Sequence, residues 1–254
     1  MKVRQGHDRQ PRTPRLYVEA ELGPQAALAL PEDAAHHAAR VLRLREGDLV
    51  LLFDGRGGEH EAILSMPGRG RVLAAIGPRR DVERESPLAV TLVQGVSSGE
   101  KMDFTIQKAV ELGVAAIQPV LAEKSVVRLS AEREEKKLAH WKRVAIAACE
   151  QCGRNRVPAI RNAIPVDAYC RAPDEASLRL LLSPEGTTGL RDMASKIVHA
   201  VTIAAGPEAG FSDNEERLLL RAGFVPVRLG RRILRTETAA MAALAALNAL
   251  AGDF

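Results

Sequence analysis

Aromatic residues are scarce in this chain, at 3% of 254 positions, with one Trp, two Tyr and five Phe. Stacking platforms for single-stranded nucleic acid need several aromatics on one face. Tyr17, Phe53, Phe104, Trp141, Tyr169, Phe211, Phe224 and Phe254 are too scattered to build one. Cysteine is rarer still: three residues argue against a disulfide framework. Cys149 and Cys152 form a C-x-x-C inside a helical pattern, and with Cys170 alone left over the roughly four ligands of a zinc site are not assembled. His7, His36, His37, His60, His140 and His199 show no metal spacing, so no metal is expected. No apolar run reaches the ~18 residues that span a bilayer. Met1 to Pro14 is polar and basic without the apolar core of a secretory signal, which points to a cytoplasmic location. Also missing are a G-x-G-x-x-G after the first strand, a phosphate-binding lysine loop and a G-x-S-x-G elbow. Their absence speaks against dinucleotide enzymes, nucleoside triphosphatases and α/β-hydrolases.

What is present is an ordinary apolar content of 46%, enough for a sizeable core, and a mild net charge of +4. The arginines cluster: Arg40, Arg43, Arg45; Arg69, Arg71, Arg79, Arg80; Arg154, Arg156, Arg161; Arg228, Arg231, Arg232, Arg235. Guanidinium forks suit phosphate geometrically, and a merely solvated basic face is the alternative. Residues 1–12 read as a disordered basic arm. Residues 13–80 carry short strand candidates, Leu49–Phe53, Glu61–Ser65 and Arg71–Ile76, with a short helix from Asp33, a possible cap, to Leu42. Short strands with Gly/Pro turns suggest a small β-barrel. Residues 81–87 form a charged linker ahead of a second domain, 88–254, in which strands and helices alternate as in an α/β fold.

The most telling pattern lies near the C-terminus. Phe224 to Leu229 reads as a strand that stops at Gly230, followed by the basic loop Arg231-Arg232-Ile233-Leu234-Arg235 and an Ala-rich helix from Thr236. Val198 to Ala205 repeats the arrangement. It ends in Gly206-Pro207-Glu208-Ala209-Gly210-Phe211, after which Ser212 and Glu215 form a capping box. A weaker copy runs from Leu178 to Leu182 into Ser183-Pro184-Glu185-Gly186. In open α/β sheets ligands sit at the carboxyl ends of the strands, and a helix N-terminus there offers unpaired N–H groups. Three such loops can converge on one small molecule, although each glycine could also be a simple turn.

At these residues the chain resembles the ribosomal RNA small subunit methyltransferase E family of the SPOUT superfamily. Four blocks carry the resemblance: Glu100 to Val114, Ala147 to Pro158, Gly206 to Ser212 and Leu229 to Ala239. His37 to Arg43 and Asp54 to Gly57 resemble the family's PUA-like domain more loosely. The resemblance implies a knotted parallel-sheet domain behind a PUA-like RNA-binding β-barrel. It further implies S-adenosylmethionine as methyl donor, N3 of a uridine in 16S ribosomal RNA as acceptor, and a homodimer. The cofactor would lie against Leu182, Ser183, Glu185, Gly206, Pro207, Glu208, Ala209, Gly210, Leu229, Gly230, Ile233, Leu234, Arg235, Thr238 and Ala239. Arg235 would stabilise the uridine anion and Glu237 could act as general base, although a first-turn glutamate also complements the helix dipole. Arg15, Arg40, Arg43, Lys101, Arg154 and Arg156 are the candidate RNA contacts. Ala209 departs from the family, which has a second glycine there; alanine disfavours a positive φ. Two other readings stay open: a SPOUT methyltransferase acting on a 2′-hydroxyl or a tRNA base, and an RNA-binding protein with an inactive second domain.

Overall fold

The computed structural model describes residues 13–68, 70–125, 131–172 and 176–254. The expected N-terminal arm and Arg69 lie outside these. The chain divides into two compact units. The first comprises residues up to Glu83 together with Gly153–Arg156, and the second comprises Arg84–Cys152 and Val157–Phe254.

In the first unit, β1 (Arg15–Tyr17), β2 (Gln25–Ala29), β3 (Leu49–Phe53), β4 (Glu59–Gly68) and β5 (Arg71–Arg80) form one sheet in the order β1-β3-β4-β5-β2. The β1–β3 pair is parallel and the others antiparallel. Alternate residues of each strand face inward, as the two-residue period of a strand requires. Leu16, Val50, Leu52, Leu64, Val72 and Ala74 form the core, closed by Ala34, Ala35 and Ala38. Ala34 and Ala35 lie on α1 (Glu32–His36), and Ala38 on the π-helical turn that continues it, His37–Val41. Asp33 is not the cap. Pro31 holds that position without a side-chain bond, and Asp33 falls in the first turn, where its charge suits the helix dipole.

The second unit is built on a parallel sheet. Its strands are β6 (Ala89–Gly95), β7 (Ala116–Leu121), β8 (Ala159–Ile160), β9 (Ile164–Pro165), β10 (Leu178–Leu182), β11 (Thr188–Gly189), β12 (Ala200–Ala205) and β13 (Val225–Arg228). The order is β11-β13-β10-β12-β6-β7-β8, with β9 also beside β7. Central strands are apolar on both faces: Val90, Leu92 and Val93 of β6 and Val201, Ile203, Ala204 and Ala205 of β12 are all buried. The last strand, β13, lies between β10 and β11, which both precede it in sequence.

The helices are α2 (Gly99–Glu111), α3 (Ala131–Cys152), α4 (Val166–Arg171), α5 (Asp213–Arg221) and α6 (Thr236–Ala251). Helix α2 buries Met102, Thr105, Ile106, Ala109 and Val110, one stripe at helical spacing. It ends at Gly113, which adopts φ 79°. Helix α5 starts at the expected capping box: Ser212 Oγ accepts from Glu215 N–H, and the Glu215 carboxylate accepts from Ser212 N–H. Helix α6 packs Ala240, Ala243, Leu244 and Leu247 inward. The Asn248 amide donates to Leu112 O at the end of α2, and its oxygen accepts from Ser86 Oγ.

Among the described residues no helix is long and apolar enough to cross a membrane. Among them, too, no group of three or more His, Cys, Asp or Glu stands together to hold a metal ion.

Candidate active site

The carboxyl ends of β10, β12 and β13 are neighbours in the sheet, so the loops that leave them meet. They enclose a cavity of about 210 Å³. Leu182, Ser183 and Pro184 come from the first loop, Ala205 to Glu208 and Gly210 from the second, and Val227 to Gly230 with Arg232 to Thr236 and Ala239 from the third. The walls are apolar at Leu182, Val227, Leu229, Ile233, Leu234 and Ala239, and basic at Arg228, Arg232 and Arg235.

Backbone fit is close at the strand ends. A side-chain carbon on Gly206 would meet Phe211 N at 2.9 Å and Gly210 Cα and C at 3.0 Å. One on Gly186 would meet Val227 C at 2.8 Å. Gly210 takes φ 71° and Gly230 φ 99°, conformations that an L side chain resists. Ala209 is not among the positive-φ residues; Arg43 is the one described non-glycine that is. The alanine therefore brings no backbone strain to the loop, and Gly210 supplies the left-handed turn.

Among the described residues, Gly230 to Leu234 make no backbone hydrogen bonds. Arg235 is the N-cap of α6 and gives no side-chain cap, so the first N–H groups of that helix also lack a side-chain acceptor. The third loop thus presents several free peptide groups beside an apolar slot.

The structure brings together most of the residues that the sequence marks, but not all. Glu185, Ala209 and Thr238 do not line the cavity, and neither does Glu237, although one oxygen of its carboxylate is buried without a hydrogen-bond partner among the described residues. Ala205, Val227, Arg228, Arg232, Thr236 and Pro184 line it without having been singled out. Arg232 and Arg228 belong to the arginine run, and Thr236 is the first residue of the helix. Those signals were present, whereas Ala205 and Val227 read only as strand ends.

Glu208 lines the cavity and also ties its loop to α2. Its carboxylate accepts from Ser98 N–H at 3.1 Å and Ser98 Oγ at 3.0 Å, and Lys101 Nζ lies 3.4 Å away. Burial alone would raise this carboxyl. The hydrogen bonds from its own backbone, from Ser98 and from Lys101 outweigh that and hold it at about 2. Glu208 thus caps α2 from another segment and pins its own loop, while Lys101, an expected RNA contact, is engaged in that ion pair.

In the first unit two further RNA candidates are enclosed. Arg15 pairs with Glu59 at 2.6 Å, with side chains 9% and 2% exposed. It also donates to Asn155 Oδ1 and Arg154 O and lies over the Phe53 ring at 4.8 Å. Asn155 donates in turn to Glu59 Oε2 and Val82 O, and Arg154 is only 4% exposed. Arg15 and Arg154 are therefore corrected from phosphate contacts to interior residues: charges so placed are already paired or shielded from solvent. Arg156 keeps part of its exposure and pairs with Glu83 at 2.7 Å. Arg40 and Arg43 are exposed. Arg40 lines a cleft of about 510 Å³ with His36, Arg71, Leu30 and Val72. Among the described residues Arg40, Arg43 and Arg71 form no ion pair.

Residues 84–248, which carry this sheet and cavity, match a family model described as an RNA methyltransferase domain. Residues 30–77 match an RNA methyltransferase PUA domain. The ribosomal RNA small subunit methyltransferase E of Buchnera aphidicola subsp. Schizaphis graminum is 34% identical over 242 residues, 95% of this chain and 98% of the relative. That of Synechocystis is 34% identical over 93% of this chain and 77% of the relative. Among solved structures, a methyltransferase of Legionella pneumophila in complex with the cofactor SAM superposes with a TM-score of 0.92 at 40% identity, covering 96% of this chain and all, 100%, of the other. The Neisseria gonorrhoeae ribosomal RNA small subunit methyltransferase E bound to S-adenosyl methionine gives 0.87 at 41% identity over 95% and 99%. The chain belongs to the ribosomal RNA small subunit methyltransferase E family of RNA methyltransferases.

Proposed function

We propose that this protein methylates N3 of a uridine in 16S ribosomal RNA, with S-adenosylmethionine as donor. The observation that carries the reading is the cavity where three adjacent parallel strands end, apolar along one side and edged by Arg232 and Arg235. The residues fit such a cofactor. Leu182, Leu229, Ile233 and Leu234 offer a slot for a flat aromatic base, Gly206 and Gly186 leave room only for backbone, and the free peptide groups of Gly230 to Leu234 can read a polar edge. When bound, the cofactor supplies an electrophilic methyl group on a sulfonium.

The remaining work falls to the chain. N3 of uridine carries a proton and titrates well above neutral pH, and its lone pair is needed for the transfer. Arg235, exposed on the cavity wall, favours the anionic base electrostatically. Holding the base in line with the methyl group reduces the barrier further. Glu237, one residue beyond Thr236, is the side chain to test as proton acceptor. The exposed, unpaired Arg40, Arg43 and Arg71 of the first unit suit the phosphates of the RNA. A homodimer is part of the same reading, and sedimentation velocity measures it.

The test is single-turnover methylation with saturating cofactor and RNA. Arg235→Lys keeps the charge but loses the planar fork. It should slow transfer by on the order of 10²-fold, with little change in either affinity. A wild-type rate at every pH would remove Arg235 from the reaction. Glu237→Gln with full rate would leave electrostatic stabilisation and proton loss to water as the account. Nucleoside mass spectrometry of the product distinguishes methylation on N3 from methylation on the ribose.

A further inference from the structure

Gln94 is the penultimate residue of β6, in register with Ala205 of β12. It is fully buried, with 0% exposure. Its Nε2 donates to Gly95 O at 3.0 Å and to Thr236 Oγ1 at 3.1 Å, and lies 3.5 Å from Gly206 O. Thr236 Oγ1 donates onward to the same Gly206 O. The surrounding oxygens set the orientation of the amide: turned over, Oε1 would face the carbonyls of Gly95 and Gly206. In the orientation adopted, Oε1 is buried and finds no donor among the described residues. A buried amide oxygen without a partner is unfavourable and calls for a reason. The neighbouring backbone is equally tight, for Gly95 lies so close to Pro207 that no side chain could be placed there.

We infer that Gln94 is a positioning residue for the cofactor cavity. Gly206 and Thr236 both line it, one on the loop after β12 and the other opening α6, and they meet at its edge through the Thr236 hydroxyl. Gln94 does not line the cavity; it braces the junction of those two segments from behind, by donating to the hydroxyl that bonds the Gly206 carbonyl. Thr236 also stands between Arg235 and Glu237, so the same clasp sets the first turn that carries both. The partnerless Oε1 is then the cost of turning the amide protons to Gly95 O and to the Thr236 hydroxyl on the cavity wall. Preorganising a site in this way raises affinity because less ordering is left to binding. The inference rests on the cofactor reading above.

Two measurements on the full chain test it. Calorimetry with S-adenosylmethionine should show Gln94→Met and Thr236→Val binding about five- to tenfold more weakly, with Thr236→Ser restoring wild-type affinity. Asn248→Ala removes a buried clasp elsewhere on α6, so it should lower the melting temperature without changing cofactor affinity. Amide hydrogen exchange without cofactor should be faster at 206–210 and 235–239 in Gln94→Met than in wild type. Unchanged exchange there, or an affinity loss that Asn248→Ala reproduces at equal melting temperature, overturns the clasp. If Gln94→Met fails to fold, Thr236→Val decides. Wild-type protein that does not bind S-adenosylmethionine overturns the cofactor reading, while the exchange result still judges the clasp.

Discussion

Alanine at position 206 perturbs the cavity by a single methyl group. The new carbon would sit 2.9 Å from Phe211 N and 3.0 Å from Gly210 Cα and C. All three are backbone atoms, so no side chain can swing away, and the loop itself must shift by several tenths of an ångström. The loop is held at both ends of that shift, by Thr236 and Gln94 on the Gly206 carbonyl and by Ser98 and Lys101 on Glu208. Overpacking of this kind costs about 1–3 kcal/mol. If the loop relaxes by moving into the cavity, that energy is lost from binding, and S-adenosylmethionine affinity falls by about 5- to 150-fold. Gly230→Ala is the matched comparison. A carbon there meets nothing within 4 Å, and only the φ of 99° opposes it. Its cost is backbone strain, also about 1–3 kcal/mol, but without a steric thrust into the cavity. Calorimetric titration of both variants, with melting curves alongside, separates the two effects. Gly206→Ala binding within twofold of wild type (a difference of about 0.4 kcal/mol) at unchanged melting temperature would refute the argument that this loop is a closely fitted wall.

Three further outcomes follow from the side-chain environments. Arg15→Met should destabilise the first unit by about 3–5 kcal/mol, measured by urea unfolding, because it breaks a buried ion pair by removing one member; an unchanged midpoint would show that the pair contributes nothing. For Glu208 the folded carboxyl sits at about 2 against an ordinary 4.5, so its stabilisation is complete above 4.5 and is lost as pH falls through 2. The melting-temperature gap between wild type and Glu208→Gln should therefore narrow as the pH drops across that window, and a gap independent of pH would contradict the assignment. Arg40→Glu with Arg71→Glu should weaken RNA binding and reduce the slope of log affinity against log salt by roughly one for each phosphate contact removed; an unaltered slope in filter binding would remove this cleft from the RNA path.

What could be read from the sequence was local. The Ser212–Glu215 box, the glycine stop at Gly113 and the strand ends at Leu182 and Ala205 are each signalled within a few residues, and the last strand ends at Arg228, one residue before the expected Leu229. The convergence of three strand-end loops followed from their repetition. Burial of arginine was not legible, because the partners are remote: Glu59 is 44 residues from Arg15, and Asn155 is 140. An arginine that will be enclosed and one that will face solvent look alike until such partners are known. The π-helical turn after His36 escaped for another reason, since its period differs from the α-helical one only over a single turn. Gln94 gave no signal at all: it is one polar residue at the end of an apolar strand, and its importance lies in meeting Thr236, which follows 142 residues later.

The segment Gly153–Arg156 completes the first unit from far down the chain. During synthesis, residues 13–83 leave the ribosome well before Asn155. At roughly 5–20 residues per second the interval is several seconds. Through that time Glu59 and Arg15 have each other but not the amide that donates to Glu59 and accepts from Arg15. The first unit therefore waits, open at one seam, until the long helix Ala131–Cys152 has emerged and the four residues that follow it, Gly153–Arg156, arrive.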